Sequence, residues 1–314
     1  MEQPYMREEK ENIKIVLFPQ IKKSRYKKVL FDCLIGKNVI KKYNPDIVLS
    51  LQNIILFGVK QPQYLYVHQA IPFQKEKKFS FFRKNERSLA LIQYIIGFFI
   101  KLSISHADKV FVQTHWMKEV ILQYCNDEKQ KVLVAFPNVN TYHIDISKHE
   151  SNRFFYPTSN MTYKNNNDIV KACNILNKKG ISDFEIRLTL PENTISHRNI
   201  KCIGQINKEQ MEHEYQSGTL VFASSIETVG LPLLEARACS TLIIASDTAF
   251  SRECLYNYEN AAFYSALNVE ELAQRMEHII TSHQKPLEII NVSSKGEGWK
   301  KIYEEITKSS SNMH

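Results

Sequence analysis

Short runs of apolar and β-branched residues recur along the chain, each closed by a polar or turn-forming residue. In the first half they are Ile13 to Phe18 (IKIVLF, stopped by Pro19), Asp46 to Leu51 (DIVLSL), Gln63 to His68 (QYLYVH) and Lys109 to Gln113 (KVFVQ). Runs of this length and composition predict short buried strands. Between them the apolar positions take helical spacing: Tyr26 to Tyr43, with Val29, Leu30, Cys33, Leu34, Val39 and Ile40, then Ser88 to Leu102 and Trp116 to Tyr124. Strand alternating with helix predicts a parallel sheet with helices on its faces.

The pattern stops over Asn138 to Asn152 (NVNTYHIDISKHESN), a polar stretch without apolar period that reads as a linker, and then restarts. Arg153 to Tyr156, Phe184 to Leu190, Lys201 to Ile203, Thr219 to Ala223, Leu242 to Ala245 and Ala261 to Tyr264 are strand candidates, with helices expected near 167–178, 207–216, 230–239 and 268–281 and a tail helix near 297–308. The predicted class is α/β: a Rossmann-like domain over 1–148, a second over 149–290, and a tail over 291–314. No repeat exists beyond this duplicated layout, and no low-complexity tract is longer than Asn165-Asn166-Asn167.

Composition narrows the picture. A chain of 314 residues, 43% hydrophobic and 24% charged, is large enough for two cores and too apolar to be disordered. Its six cysteines lie far apart with no C-x-x-C pair and no clustered histidines, so neither a disulfide scaffold nor a zinc site is expected, and they read as small apolar residues in a reducing cytoplasm. The N-terminus lacks the order of a secretory signal. The longest apolar stretch, Leu89 to Leu102, is interrupted by Gln93 and Lys101 and falls short of the ~20 residues a bilayer requires. A net charge of +8 favours anionic partners, among which nucleotide diphosphates, nucleic acids and acidic lipid headgroups all qualify.

The segment richest in chemistry is Thr219 to Asp247. A buried strand ends in Ser224-Ser225, a turn carries Glu227-Thr228-Val229-Gly230, and a helix opens with Pro232 in its first turn, where a missing N–H costs least. Backbone N–H groups at such a helix start can hold a phosphate, and Gly230 lets a ligand come close to the backbone. Glu235 could accept two hydrogen bonds from a ribose diol, and Glu227 could meet the hexose hydroxyls or the facing domain. Two glutamates eight apart are by themselves ordinary helix-surface residues; the whole string is what distinguishes them.

That string, Ser-Ser-Ile-Glu-Thr-Val-Gly-Leu-Pro-Leu-Leu-Glu-Ala, closely resembles the Glu-x7-Glu signature of the retaining GT-B glycosyltransferases (glycosyltransferase group 1, family 4-like), which act on bacterial polysaccharides and lipid-linked sugars. Phe154 to Asn165 is similar to the first strand and loop of that family's C-terminal domain, where a lysine reaches the donor diphosphate, the role Lys164 fits; Ser159 stands where the family often has an arginine. His68, at the end of YVH, resembles the strand-terminal histidine near the transferred sugar, and EGWKKIYEEI, with Trp299, resembles the tail helix that crosses back to the first domain. The resemblance implies two Rossmann-like domains facing a cleft, Glu227 and His68 as catalytic residues, and Lys164, Thr228, Val229, Gly230, Leu231 and Glu235 as the donor site. No Asp-x-Asp motif occurs, so no metal or other cofactor is expected. The first β-loop-α unit of the family is missing or atypical, with no glycine before Gly36, so the N-terminal domain reads as shortened.

The function so implied is transfer of a hexosyl unit from a nucleotide diphosphate sugar to a saccharide or lipid-linked saccharide in surface polysaccharide (O-antigen or capsule) synthesis. A truncated, non-catalytic GT-B-like protein remains the alternative, with a basic nucleic-acid-binding protein behind it. Lys22 to Lys28 holds five cations in seven residues, and Lys75 to Arg87 mixes six cations with Phe79, Phe81 and Phe82 ahead of the apolar helix. Together with the stretch to Leu102 these suit an anionic membrane surface, the same composition also reading as a single-stranded nucleic-acid site or a solvated face. The expected location is the cytoplasm, peripheral on the inner face of the membrane, with no nucleic-acid partner.

Overall fold

The computed structural model describes residues 13–22, 27, 30–125, 131–139, 145–289 and 298–311. Its first sheet is built from β1 (Val48–Ser50), β2 (Gln63–Val67), β3 (Lys109–Val112) and β4 (Val132–Val134), all parallel and side by side in chain order. Alternation along the strands sends residues to opposite faces. Leu65, Val67, Val110 and Val112 pack with Leu89, Ala90, Ile100 and Ile104 of helix α2 (Arg87–His106) and with Met117 and Ile121 of α3 (His115–Leu122). Tyr64 and Phe111 point the other way, against Ile302 and Ile306 of the tail helix. Helix α1 (Gly36–Tyr43) follows a wider turn over Phe31–Ile35.

The second sheet has six parallel strands in the order β10-β9-β8-β5-β6-β7: β5 (Arg153–Tyr156), β6 (Glu185–Leu188), β7 (Ile200–Cys202), β8 (Thr219–Phe222), β9 (Ile243–Asp247) and β10 (Ala261–Ser265). Counted from β5, this is the doubly wound order 3-2-1-4-5-6, in which the winding of the parallel strands reverses between β5 and β8. Helices α4 (Asn166–Lys178), α5 (Lys208–Ser217), α6 (Leu231–Ala238), α7 (Ala249–Cys254) and α8 (Val269–Ser282) cover it. The inner strands are covered on both faces: every residue of β8 is buried, and Phe154, Phe155, Tyr156 and Phe222 lie in one core with Leu233, Leu272 and Met276, whereas charged residues enter the sheet on the outer strands β6 and β7 and at the start of β5. Gly218 turns α5 into β8 so tightly that a Cβ there would stand 2.8 Å from the Arg153 carbonyl oxygen, so only glycine fits. Beneath this corner Glu214, nearly buried, accepts from Arg153 at 3.1 Å and pairs with Arg187 at 3.4 Å.

Helix α9 (Gly298–Ser311) returns to the first sheet, where Glu305 pairs with Lys109 at 2.5 Å and Trp299 stacks on Tyr66 with ring centroids 5.6 Å apart.

Four expectations need correction or fall elsewhere. Ile13 to Phe18 forms no strand: Ile13 makes an isolated bridge, the backbone to Phe18 is irregular, and Ile13, Val16, Leu17 and Phe18 are 39–49% exposed, so the apolar run lacks the two-sided cover that would hold it in a sheet. Phe79 is a core residue, 2% exposed, its N–H held by Gln93 at 2.9 Å, whereas Phe81 and Phe82 lie at the surface. The apolar stretch after it grows into the 20-residue α2, long and apolar enough by length and composition to cross a membrane, although one face of it belongs to the core of the first half. The basic run Lys22–Lys28 lies largely outside the described residues.

Candidate active site

In a doubly wound sheet the crevice for ligands opens beyond the carboxyl ends of the strands where the winding reverses. Here that is the gap between the loop after β5, which carries Lys164, and the loop after β8, which carries Glu227. The two loops are stitched together. Asn165, in the left-handed region with φ 53°, donates its amide to the Ala223 carbonyl at 2.8 Å, and Ser225 N–H donates to the Tyr163 carbonyl at 3.0 Å. The Tyr156 hydroxyl, buried under the loop, fixes the Lys164 carbonyl at 2.8 Å. This backbone frame brings Lys164 Nζ into a direct ion pair with Glu227 Oε1, and Ser224 Oγ donates to the same oxygen at 2.7 Å. The carboxylate and burial together raise the neighbouring Tyr163 hydroxyl to about 12, burial being the larger cause, so that tyrosine is a neutral donor.

Glu235 lies one turn into α6. Burial pushes its carboxyl up from the usual value, while a hydrogen bond from the Tyr215 hydroxyl at 2.9 Å and the charge of Lys208 oppose the rise. Tyr215 is itself 1% exposed and held at its carbonyl by Thr241 Oγ1 at 2.7 Å. A Cβ at Gly230 would meet the Leu233 side chain, its Cδ1 at 2.6 Å, so a larger residue there would require Leu233 to turn aside. Val229 is buried in the second core, and Leu231 is 43% exposed at the mouth of the helix.

Thr228 is engaged with the first half of the chain. Its carbonyl accepts from Thr114 Oγ1 at 2.7 Å and from the Trp116 indole at 3.0 Å, and its hydroxyl donates to Gln113 Oε1 at 2.6 Å. Ile226 is buried in the core of the first sheet. Glu253 of α7 accepts from the N–H groups of His115 at 2.7 Å and Trp116 at 3.0 Å, so a carboxylate of the second half caps α3 of the first. His68 follows β2, its ring 5.9 Å from that of Tyr66; burial raises the Tyr66 hydroxyl, and Gln113, which accepts from the Thr228 hydroxyl, opposes the rise. Two cavities of about 520 and 530 Å³ open at the opposite ends of β5 and β6, lined by residues such as His149, Asp183 and Arg198, and hold none of these groups.

Asn53, Tyr215, Ser224 and Glu253 escape sequence reasoning. Ser224 alone carries a local signal, three residues before Glu227; the others meet their partners only through the fold.

Two parallel α/β halves joined at the Glu227 turn define the GT-B class, and solved structures of glycosyltransferases share this fold. TarM of S. aureus superposes with a TM-score of 0.60 at 12% identity, over 79% of this chain and 51% of TarM. HepE of Anabaena, solved in complex with UDP-glucose, gives 0.60 at 13% identity, over 89% and 82% of the two chains. Residues 140–295 of the second half match the family of glycosyl transferases group 1. By sequence the chain is similar to the O-antigen chain mannosyltransferase RfbU of Salmonella typhimurium, 23% identical over 67% of this chain, and it spans 62% of the length of that relative.

Proposed function

We propose that this protein is a retaining glycosyltransferase that moves a hexosyl unit from a nucleotide diphosphate sugar to a saccharide or lipid-linked saccharide acceptor in surface polysaccharide synthesis. The observation that carries the reading is the pairing of Lys164 with Glu227 at the reversal of the sheet, close in sequence to Glu235 at the start of α6. In this reading Glu235 receives the ribose hydroxyls, while Lys164 and the N-terminus of α6 balance the charge that grows on the leaving diphosphate, without a metal. Glu227 and His68 orient the sugar, and the leaving phosphate takes the proton of the incoming hydroxyl on the same face. Support comes from the family match over 140–295, the likeness to an O-antigen mannosyltransferase and the UDP-glucose complex of a structural neighbour.

A thermal-shift series with UDP, GDP, dTDP and their sugar conjugates tests it, because a ligand that binds only the folded state raises Tm. One nucleotide series should stabilise the protein, and Glu235→Ala should remove that shift while lowering the ligand-free Tm little. Retention of the full shift in Glu235→Ala would sink the donor-site assignment.

The acceptor half carries a surface suited to a lipid-linked substrate. Phe82 is 95% exposed and Phe98 62%, Phe81, Tyr94 and Ile95 are exposed as well with the rings of Phe81 and Tyr94 5.9 Å apart, and the segment leading into the helix carries the exposed cations Lys75, Lys78, Arg83, Lys84 and Arg87. Apolar side chains beside cations match an anionic bilayer surface. Co-sedimentation with phosphatidylglycerol vesicles should exceed that with phosphatidylcholine and fall in Phe82→Ser/Phe98→Ser. Equal sedimentation with both lipids speaks against a membrane face.

A further inference from the structure

His68 and Asn53 project from the loops that follow adjacent strands, β2 and β1, fifteen residues apart in sequence. The His68 backbone N–H lies 2.7 Å from one end of the Asn53 carboxamide, and the His68 ring nitrogen Nε2 lies 3.2 Å from the other end. These two contacts fix which end is which. A main-chain N–H only donates, so the atom that meets it must be the amide oxygen, and the NH2 group is then turned to the ring. An amide NH2 only donates, so Nε2 must accept through its lone pair. A ring nitrogen that accepts carries no proton, and the proton of the imidazole therefore sits on Nδ1.

We infer that Asn53 is a positioning residue which holds His68 as the neutral Nδ1–H tautomer, so that His68 meets the transferred sugar as an uncharged hydrogen-bond donor. The inference rests on the reading of His68 as a residue of the transfer site. Its chemical sense lies in the charge of the reaction. A glycosyl centre becomes cation-like as its bond to the leaving group breaks. An imidazolium beside it would repel that charge, whereas a neutral N–H orients a sugar hydroxyl without doing so. The local structure suits the task. Asn53 sits at φ 65°, in the left-handed region that asparagine tolerates better than most residues, and this places its amide across the strand gap. The ring of His68 lies against Tyr66, itself stacked on Trp299, so its plane is set as well as its proton.

Long-range 1H–15N correlation spectra of histidine-labelled protein read the tautomer directly, with His68 assigned by its loss in His68→Gln. The wild-type ring should show a protonated Nδ1 and a lone-pair Nε2. Asn53→Asp keeps the size of the side chain but puts a carboxylate oxygen, which cannot donate, against the ring; Nε2 should become protonated and the pattern reverse or turn to imidazolium. Asn53→Ala removes the constraint from both ends and should likewise lose the Nδ1–H pattern. Turnover of the nucleotide sugar should fall roughly a hundredfold in Asn53→Asp, the scale for one misplaced donor. A wild-type spectrum with Nε2–H or imidazolium, or the same spectrum in Asn53→Asp, overturns the inference. Reversal with unchanged turnover overturns the positioning role. The spectrum needs neither donor nor acceptor, so a protein without transferase activity would defeat the functional reading and leave the tautomer to be decided on its own.

Discussion

Replacing Lys164 by alanine is expected to lower glycosyl transfer by roughly 10²- to 10³-fold, the scale on which single preorganised groups stabilise charge that develops in a transition state. The side chain is 16% exposed and its Nζ is paired with Glu227, which is 20% exposed. Deletion of the cation leaves that carboxylate uncompensated beside the place where the diphosphate would sit. The loss is therefore twofold: the leaving group forfeits its counter-charge, and the donor meets a negative group where it had a balanced one. Weaker donor binding and slower turnover should both be seen, as a raised KM for the nucleotide sugar together with a reduced kcat. Lys164→Arg should recover part of the activity, because charge is restored while the fit to Glu227 is not. Transfer within threefold of wild type in Lys164→Ala would remove this lysine from the mechanism.

The largest effect on stability is expected from Glu214→Ala, at about 3–5 kcal/mol, the usual result of removing one partner from a buried ionic cluster. Glu214 is the carboxylate shared by Arg153 and Arg187, its side chain 6% exposed, while the more exposed Glu185 reaches only Arg187, at 3.9 Å, and the Nε atoms of both arginines are already without hydrogen-bond partners. Two guanidinium groups would lose the carboxylate they share, Arg187 keeping only its longer pair with Glu185. A fall in Tm of about 10 °C should register by calorimetry or circular dichroism. Exchanging all three residues together for apolar ones of similar volume should cost far less, since the cost arises from the orphaned charges rather than from the loss of attraction. A Tm shift below about 3 °C in Glu214→Ala would mean that water reaches the cluster.

The sequence is most informative where a residue's place follows from the chain's own periodicity. Strand alternating with helix is legible from apolar spacing, whereas Lys164 and Glu227 stand out only because the strings around them resemble those of a known family; that their loops flank the reversal of the sheet is seen in the fold. The same reasoning overreaches at Ile13 to Phe18, because an apolar run reports an appetite for burial and not the presence of a neighbour to satisfy it. It misjudges Phe79 for the opposite reason: surrounded by lysines in sequence, it turns inward once Gln93 has taken its backbone N–H. The strand β4 and the helix α7, three and six residues long, have no counterpart among the elements expected from the sequence. Least legible are the pairs that orient functional groups. Asn53 and His68 are 15 residues apart, Tyr215 and Glu235 are 20 apart, and Glu253 reaches His115 across 138. No local pattern joins such residues; only the winding of the strands does.

The turn that carries Glu227 is rooted in both halves, with Ile226 in one core, Val229 in the other, and the Thr228 carbonyl held by Thr114 and Trp116. It follows that the halves do not behave as exchangeable cassettes in evolution. A recombinant gene spliced in the segment between β4 and β5 would keep each sheet whole yet inherit a turn without its socket, and Glu253 would arrive without a helix to cap. Changes at 113–116 are therefore expected to be inherited together with changes at 226–228 and 253, and divergence would proceed more readily by substitution within this lineage than by shuffling of its parts.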